Sequence, residues 1–208
     1  MDEPFLLILS GPPGSGKTTV GRIVASGSGL SACIHSDWFW TSIVSGGVPP
    51  WEAIADGQNR VMIRSAVATA ARMADGGYST VLEGNLGPWH FDIVRSELAT
   101  CPVPTSYIVL RPDIDTCLTR AVRRRAEGLE HRDALTDEGP IRHLWSEFAD
   151  LGPYERNVLD STALDPVETA DHVRQRMSDG RCPLLLSRPD LPPGEGRGPR
   201  LPQRRRPG

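Results

Sequence analysis

Short apolar runs alternate with amphipathic stretches along most of the chain. The first run, residues 5–9, is uninterrupted, which is typical of a strand buried on both faces of a parallel sheet. Between the runs, apolar residues recur at helical spacing, most clearly over residues 58–74, where Gly76 and Gly77 supply the stop. The other predicted strands are 32–35, 78–82, 106–110 and a weak 157–159; the other predicted helices are 17–25, 92–98, 114–126, 140–151 and 166–177.

This order of elements predicts the fold class and the domain organisation. Strands that alternate with helices predict an α/β fold with a mainly parallel sheet. The chain has 208 residues, of which 38% are hydrophobic and 24% charged, so we expect one globular domain, over residues 1–179. No apolar run approaches the roughly 18 residues of a membrane helix, and the N-terminus lacks the basic start of a signal peptide. We therefore expect no membrane association and a cytoplasmic location.

The segment 180–208 differs in composition from the rest of the chain. It contains seven prolines, five glycines and a net charge of +5, whereas residues 1–179 carry −8. No helical or strand period is present, so we predict a disordered tail. The run Arg204–Arg206 would suit nucleic acid or an acidic lipid surface, but a solvated basic end is the interpretation we favour. The negative charge of residues 1–179 makes a nucleic-acid partner an unfavoured expectation.

The strongest motif follows the first predicted strand. Residues 11–18 read Gly-Pro-Pro-Gly-Ser-Gly-Lys-Thr, which satisfies the phosphate-loop pattern Gly, four residues, Gly-Lys-[Ser/Thr]. Backbone N–H groups in such a loop, and the helix N-terminus behind it, favour a polyphosphate. We expect Lys17 to reach the β and γ phosphates of ATP and Thr18 to ligate Mg²⁺. The predicted nucleotide-binding residues are Gly11, Pro12, Pro13, Gly14, Ser15, Gly16, Lys17, Thr18 and Thr19.

Two acidic residues follow neighbouring predicted strands. Asp37 comes just after the second strand, where a carboxylate can accept the proton of an attacking hydroxyl or bind the metal. The alternative is that Ser36 or Asp37 caps the next helix; we favour the functional role, and both roles are compatible. Glu83 ends the third strand after an apolar run, as in a Walker B element. It is a candidate metal ligand. A role in which it supports a metal ligand or contacts the substrate is left open.

A cluster of arginines lies on the predicted helix after the fourth strand. Arg120 and Arg124 share one face of this helix, so both guanidiniums could be aimed at one ligand. The polar segment 127–137 that follows is predicted to be a lid that carries arginines to the transferring phosphoryl group. An exposed basic helix face is the alternative.

Aromatic and histidine residues occur in the segments expected at the same edge of the sheet. The tryptophans could line an acceptor pocket, but core packing explains each of them equally well. His35 and His90 lie in these segments too, and the pattern does not decide whether they belong to the site. The tryptophans are Trp38, Trp40, Trp51 and Trp89.

Over residues 5–177 the chain resembles the small P-loop kinases, especially the chloramphenicol phosphotransferase-like and zeta-toxin-like group that is often labelled as AAA family ATPases. The likeness rests on residues 11–18, His-Ser-Asp at 35–37, Glu-Gly-Asn at 83–85, Leu-Arg-Pro at 110–112 and Leu-Thr-Asp-Glu-Gly-Pro at 135–140. Two features depart from the pattern: Glu83 stands where Asp is usual, and no arginine-finger segment of ring-forming AAA machines is recognisable.

The resemblance implies an adenylate-kinase-like P-loop NTPase fold, with a five-stranded, mainly parallel sheet in a three-layer α/β/α arrangement. It also implies ATP with Mg²⁺ and phosphorylation of a hydroxyl on a small molecule, with Asp37 as the proton acceptor. Lid arginines would contact adenine and phosphate, which suits Arg120 and Arg124. The leading hypothesis is therefore a kinase; the alternatives are a nucleotide-gated binding protein without an acceptor and a nucleic-acid end kinase.

Overall fold

The structure is a computed structural model that describes residues 3–126 and 137–184, with only the backbone described at 124–126. Within these ranges the chain forms five strands and seven α-helices. The strands are β1 (Leu6–Ser10), β2 (Ser31–His35), β3 (Ser79–Glu83), β4 (Thr105–Leu110) and β5 (Val158–Leu159). The helices are α1 (Lys17–Ser26), α2 (Trp38–Thr41), α3 (Asp56–Asp75), α4 (Phe91–Leu98), α5 (Ile114–Ala126), α6 (Glu138–Glu147) and α7 (Pro166–Ser178).

The five strands form one parallel sheet in the order β2-β3-β1-β4-β5. The first strand of the chain is therefore the middle strand of the sheet, paired with β3 on one side and β4 on the other. Because all five strands run the same way, their carboxyl ends share one edge, and ligands of such sheets bind outside that edge. The segments that follow β1, β2 and β3 converge there.

Helices cover both faces of the sheet. Every residue of β1 is buried, and successive side chains point to opposite faces. Leu6 and Ile8 join the core that includes residues of α3 and α4, whereas Leu7 and Leu9 join the core that includes residues of α1 and α7. The result is the three-layer α/β/α arrangement that the family resemblance implied.

All five predicted strands are confirmed, with ends that differ by one residue at most. The main error concerns α6, which was predicted to continue to residue 151 but ends at Glu147. Phe148 and Leu151 are buried in the core, so the apolar spacing continues after the helix has ended. The single-turn helix α2 was not predicted. In the described ranges, no helix combines the length and the apolar character needed to cross a membrane.

Residues 181–184 pack against the sheet, which corrects the predicted boundary after residue 179. The backbone of Tyr107 donates to the carbonyl of Cys182 at 2.9 Å, and that of Leu184 donates to Thr105 at 3.0 Å. Cys182 and Leu184 are only 1% and 5% exposed. The reason is that β5 pairs only with the last two residues of β4, so this segment satisfies backbone groups earlier in that strand. The disorder predicted for residues 185–208 lies outside the described residues.

Candidate active site

The loop formed by residues 11–16 connects β1 to α1 at the middle of the sheet. Gly11 and Gly14 have φ values of 141° and 82°. A Cβ at Gly11 would lie 2.1 Å from the carbonyl oxygen of Leu110, and a Cβ at Gly14 would lie 2.3 Å from that of Cys117. Only glycine fits such contacts with backbone, so part of the glycine pattern is required because the loop packs on β4 and α5.

Lys17 is the first residue of α1, and it is 9% exposed. Its Nζ donates hydrogen bonds to the carbonyl oxygens of Gly11 at 2.8 Å and Pro12 at 2.9 Å. These two bonds fold the side chain back onto the loop that precedes it. The ammonium group is therefore held at the loop, where phosphate-loop lysines meet their anion.

The N-terminus of α1 is open to an anion. Gly16 occupies the N-cap position and makes no side-chain cap, and the first turn contains no acidic residue. The first N–H groups of a helix have no helical acceptor, and the helix dipole favours negative charge at this end. Thr18 is half-buried and Thr19 exposed in this turn, and the Oγ of Ser15 is buried with no hydrogen-bond partner among the described residues.

Asp37 lies between β2 and α2, at the same edge of the sheet as the loop. Its side chain is 61% exposed. It occupies the N-cap position of α2, but its side chain makes no cap hydrogen bond, so the capping role that the sequence left open is not seen. The backbone carbonyl of Asp37 instead accepts from the N–H groups of Trp40 and Thr41, both at 3.1 Å. The carboxylate is thereby available to a ligand.

Glu83 ends β3, and its side chain is completely buried. Neither carboxylate oxygen has a hydrogen-bond partner within the described part of the chain. Oε1 nevertheless lies 2.6 Å from Nδ1 of His35, a close contact in which the ring N–H is not aligned as a hydrogen bond requires. A buried carboxylate with so few partners is costly unless it serves a ligand or a charged neighbour.

His35 lies between two carboxylates. Its Nε2 is 3.5 Å from Oδ2 of Asp37, on the side of the ring opposite to Glu83. Burial lowers the pKa of His35, but the contact with Glu83 and the negative charges of Glu83 and Asp37 outweigh burial and raise that pKa above its ordinary value. The charge of Lys17 acts in the opposite sense, which places the loop lysine within electrostatic reach of this group.

Arg120 reaches the loop from α5. Its Nη2 donates to the carbonyl oxygen of Ser161 at 3.1 Å, and its Nη1 lies 3.9 Å from the place that a Cβ on Gly16 would occupy. The Oγ of Ser161 is buried without a hydrogen-bond partner in the described ranges. Arg124 follows on the same helix, but its side chain and the predicted lid at residues 127–136 lie outside the described residues.

The four tryptophans near this edge contact different elements. Trp38 is 48% exposed, with its ring 6.3 Å from that of His35. Trp40 donates from Nε1 to Asn59 at 2.9 Å, which ties α2 to α3. Trp51 faces α6 across a groove, and the Trp89 ring lies 5.2 Å from the Phe148 ring. Trp38, Trp51 and Trp89 are thus all exposed, whereas Trp40 is partly buried.

His90 precedes α4 beside an ion pair. Nη2 of Arg60 lies 2.5 Å from Oδ2 of Asp92, and this pair joins α3 to α4. Burial is the main cause that lowers the pKa of His90 to about 4, partly opposed by the charge of Asp92. His90 is therefore neutral at physiological pH.

The donor atoms at this edge fit magnesium. Mg²⁺ prefers oxygen ligands, keeps several waters and is commonly held by one or two carboxylates together with substrate phosphates. Thr18, Asp37 and Glu83 supply oxygens of this type, and those of Glu83 are buried without hydrogen-bond partners among the residues that the structure describes. In the described residues, no three His, Cys, Asp or Glu side chains converge into a site built from protein ligands alone.

Sequence reasoning missed the link between β2 and β3. His35 and Glu83 are register partners on adjacent strands, so their side chains are brought together by strand pairing. The sequence contains a relevant clue, since each residue ends a predicted strand. The clue becomes useful only when the strand order is known, because an apolar pattern does not show which strands are neighbours.

Comparisons with known proteins agree with this fold. A cytidylate kinase from Archaeoglobus fulgidus is 32% identical to the chain over 131 residues, which are 61% of this chain and 72% of the relative. A sugar kinase from Janibacter has a similar fold, with a TM-score of 0.60 and 21% identity over 84% of this chain and 95% of its own. No family model matches the sequence.

A second solved structure is similar over almost its whole length. It is an APS kinase from Mycobacterium tuberculosis in complex with AMPPNP and APS, with a TM-score of 0.59 and 15% identity. The similarity covers 86% of this chain and 99% of that one. At this level of identity, the two solved structures bear on the fold alone.

Proposed function

Because the chain belongs to the small P-loop kinases, we propose that it transfers the γ-phosphoryl group of ATP to a hydroxyl group of a small molecule. The three similar proteins described above are named as kinases of cytidylate, of a sugar and of APS, which supports a small-molecule acceptor. The basic segment 180–208 lies mostly outside the described residues and has no part in the proposal.

One observation carries the proposal: an exposed carboxylate shares a sheet edge with the phosphate loop. Asp37 follows β2, the loop follows β1, and all strands of the sheet are parallel. A protein that only binds nucleotide needs the loop but no general base beside it. A kinase needs both, since the acceptor hydroxyl must lose its proton as it attacks phosphorus.

The loop residues would hold the nucleotide. The backbone N–H groups of residues 11–19, other than those of the two prolines, which have none, would meet the phosphate oxygens. Lys17 would turn its ammonium group from the carbonyls of Gly11 and Pro12 toward the β and γ phosphates. Arg120, placed beside Gly16, would add positive charge or contact the base, and Arg124 is proposed to join it. Binding of this kind is mainly positioning and electrostatic stabilisation.

Asp37 would accept the proton of the acceptor hydroxyl. The new bond joins the acceptor oxygen to the γ-phosphorus, the bond from that phosphorus to the β–γ bridging oxygen breaks, and ADP leaves with the electron pair. Thr18, with Asp37 and Glu83 as carboxylate candidates, would hold Mg²⁺, which when bound supplies positive charge to the phosphates. The exposed Trp38 would lie beside the acceptor, because it immediately follows Asp37.

The proposal is tested with γ-labelled ATP, Mg²⁺ and a panel of hydroxylated small molecules that includes sugars, nucleosides and aminoglycoside- and phenicol-type antibiotics. Mass spectrometry should detect one product heavier than its acceptor by one phosphoryl group. Asp37→Asn should lower the transfer rate at least about 100-fold, the size of a lost general base, while the Kd for ATP stays unchanged. The proposal fails if the unaltered protein binds ATP but phosphorylates no acceptor, or if Asp37→Asn transfers at the normal rate.

A further inference from the structure

A histidine connects the buried and the exposed carboxylate of the site. His35 contacts Oε1 of Glu83 through Nδ1 at 2.6 Å, and its Nε2 lies 3.5 Å from Oδ2 of Asp37. The side chain of Glu83 is 0% exposed and that of Asp37 is 61% exposed, so the three groups lead from the interior of the sheet to its carboxyl edge.

We propose that His35 is a positioning residue that aims the carboxylate of Asp37 at the acceptor hydroxyl, with Glu83 fixing the ring from behind. The inference rests on the proposed function, in which Asp37 is the general base. It concerns the orientation of Asp37, not the chemistry of the loop that binds nucleotide.

Asp37 needs such support because it lies on a short connection between β2 and α2. An exposed carboxylate can rotate, and a base that is displaced by about 1 Å can lose about 100-fold in rate. Within the described part of the chain, each of its oxygens has one polar neighbour: Ser36 Oγ donates to Oδ1 at 3.2 Å, and His35 Nε2 lies 3.5 Å from Oδ2. A carboxylate oxygen has two lone pairs, so a proton acceptor position remains on each oxygen.

The ring itself is held by the sheet. His35 and Glu83 are register partners, and the backbone N–H of Ser36 donates to the carbonyl of Glu83 at 2.9 Å. A Cβ at Gly84 would lie 2.0 Å from Ser36 Oγ, so the glycine lets the end of β3 approach the segment that carries Asp37. The strand pairing therefore places Nδ1 of His35 against Glu83 and leaves Nε2 on the side of Asp37.

The burial of Glu83 agrees with this role. A purely structural residue at a fully buried strand end would be apolar, because a buried carboxylate without good partners is destabilising. In the described ranges, the polar contact recorded for its side chain is the one with His35. The destabilising burial of Glu83 is therefore explained by its contact with the imidazole of His35.

Two substitutions of His35 separate its two sides. The amide nitrogen of asparagine reaches about as far as Nδ1, and that of glutamine about as far as Nε2, so His35→Asn keeps a donor toward Glu83 and His35→Gln keeps one toward Asp37. Both are compared with the unaltered full chain and with His172→Gln, a substitution at an exposed position on α7. The assay measures kcat and KM for Mg·ATP, with water as the acceptor or with any acceptor that the panel yields.

His35→Asn should lower kcat about 100-fold with the KM for ATP unchanged, and His35→Gln should restore kcat to within about tenfold of the unaltered protein. In the Asp37→Asn background, His35→Asn should change the remaining rate by no more than about twofold, because the two residues act as one unit. Equal kcat values for His35→Asn and His35→Gln would overturn the inference, as would a KM effect without a kcat effect.

Glu83→Gln keeps the inference testable if both His35 variants unfold. It should lower kcat about tenfold without changing the Mg²⁺ concentration needed for half-maximal rate. A higher Mg²⁺ requirement would instead select the metal-ligand role that the proposed function leaves open for Glu83, and would overturn the inference. Failure of the proposed function is recognised separately, from the unaltered protein: if that protein turns over no ATP, the function fails and the inference fails with it.

Discussion

Arg111 and Glu155 form a two-pronged ion pair, with Nη1–Oε1 and Nη2–Oε2 distances of 2.8 Å each. Nη1 also donates to the carbonyl of Phe148 at 2.8 Å, and Glu155 accepts a hydrogen bond from the backbone of Leu151. The hydrogen bonds from Arg111 hold the pKa of Glu155 below its ordinary value. The end of β4 is thereby fastened to the turns that follow α6.

Arg111→Lys should therefore destabilise the protein, because a lysine cannot make both bonds of the fork and also reach Phe148. We expect the free energy of unfolding to fall by about 1 to 3 kcal/mol, the cost of losing hydrogen bonds between a charged group and partly buried partners. Urea unfolding measures the change. Arg142→Lys is the control, since Arg142 forms an exposed pair with Glu138 on α6 and should change stability by less than about 0.5 kcal/mol. If Arg111→Lys and Arg142→Lys lower the free energy of unfolding equally, the pair of Arg111 with Glu155 contributes no more than an exposed ion pair.

Gly14→Ala tests whether the loop depends on contact with the protein backbone. The new methyl group would lie 2.3 Å from the carbonyl of Cys117, at a φ of 82° that disfavours alanine. We expect a loss of at least about 2 kcal/mol in stability together with weaker ATP binding. Gly29→Ala introduces a methyl with no atom within 4 Å and should stay within about 0.5 kcal/mol of the unaltered protein. Thermal unfolding and calorimetry report both effects, and normal ATP affinity in Gly14→Ala would contradict the packing argument.

Lys17→Ala should weaken ATP binding about 10- to 100-fold, the range for removing a hydrogen bond to a charged group. Calorimetry with Mg·ATP gives the change in Kd, and thermal unfolding shows whether the loop carbonyls of Gly11 and Pro12 tolerate the loss of their donor. Arg22→Ala removes an exposed positive charge from the same helix and should leave the Kd unchanged. If the two substitutions weaken binding equally, general charge and not the loop lysine holds the triphosphate.

Two truncations locate the end of the folded part. A chain that ends at Leu184 should be as stable as the full chain, whereas a chain that ends at Gly180 should lose about 2 to 5 kcal/mol. The second truncation removes the buried Cys182 and Leu184 and the backbone hydrogen bonds that they make with β4. Urea unfolding measures the stability of the two truncated proteins. Similar urea midpoints would show that the folded domain ends at residue 179.

His90 should make the protein less stable in mild acid. The unfolded histidine titrates near its ordinary pKa of about 6.5, whereas burial lowers the folded value to about 4. The contribution of His90 to the free energy of unfolding is therefore fully present above pH 6.5. It is lost as the pH falls from 6.5 to 4, by on the order of 1 kcal/mol per pH unit, because the unfolded chain binds a proton that the folded chain does not. His90→Gln should flatten the unfolding free energy in this range relative to the unaltered protein, and His172→Gln should not. Identical pH profiles for the unaltered protein and His90→Gln would show that His90 does not cause the loss of stability in acid.

The sequence was sufficient for the sheet and for the phosphate loop, because both depend on local patterns. The uninterrupted apolar run of β1 and the apolar residues at helical spacing along α3 each indicate a buried face. The motif at residues 11–18 requires a strand before it and a helix after it. The family resemblance and the fold class were confirmed by similar proteins and by the observed sheet. The roles given to Asp37, Arg120 and Arg124 stay predictions.

Contacts between strands and turns could not be predicted. The pairing of His35 with Glu83 depends on strand order, and the fork between Arg111 and Glu155 joins residues 44 positions apart. Residues 181–184 were assigned to the tail because the segment 180–208 is rich in proline and glycine and shows no helical or strand period. Their place in the fold follows from unsatisfied backbone in β4, which no local pattern reveals.

Lys17 is the only lysine among the 23 basic residues of the chain, and its amine is held between two backbone carbonyls. An acylating reagent therefore meets a single side-chain amine in the whole molecule, and that amine belongs to the phosphate loop. Peptide mass mapping distinguishes acylation at Lys17 from acylation at the α-amine, and bound triphosphate should slow the reaction at Lys17.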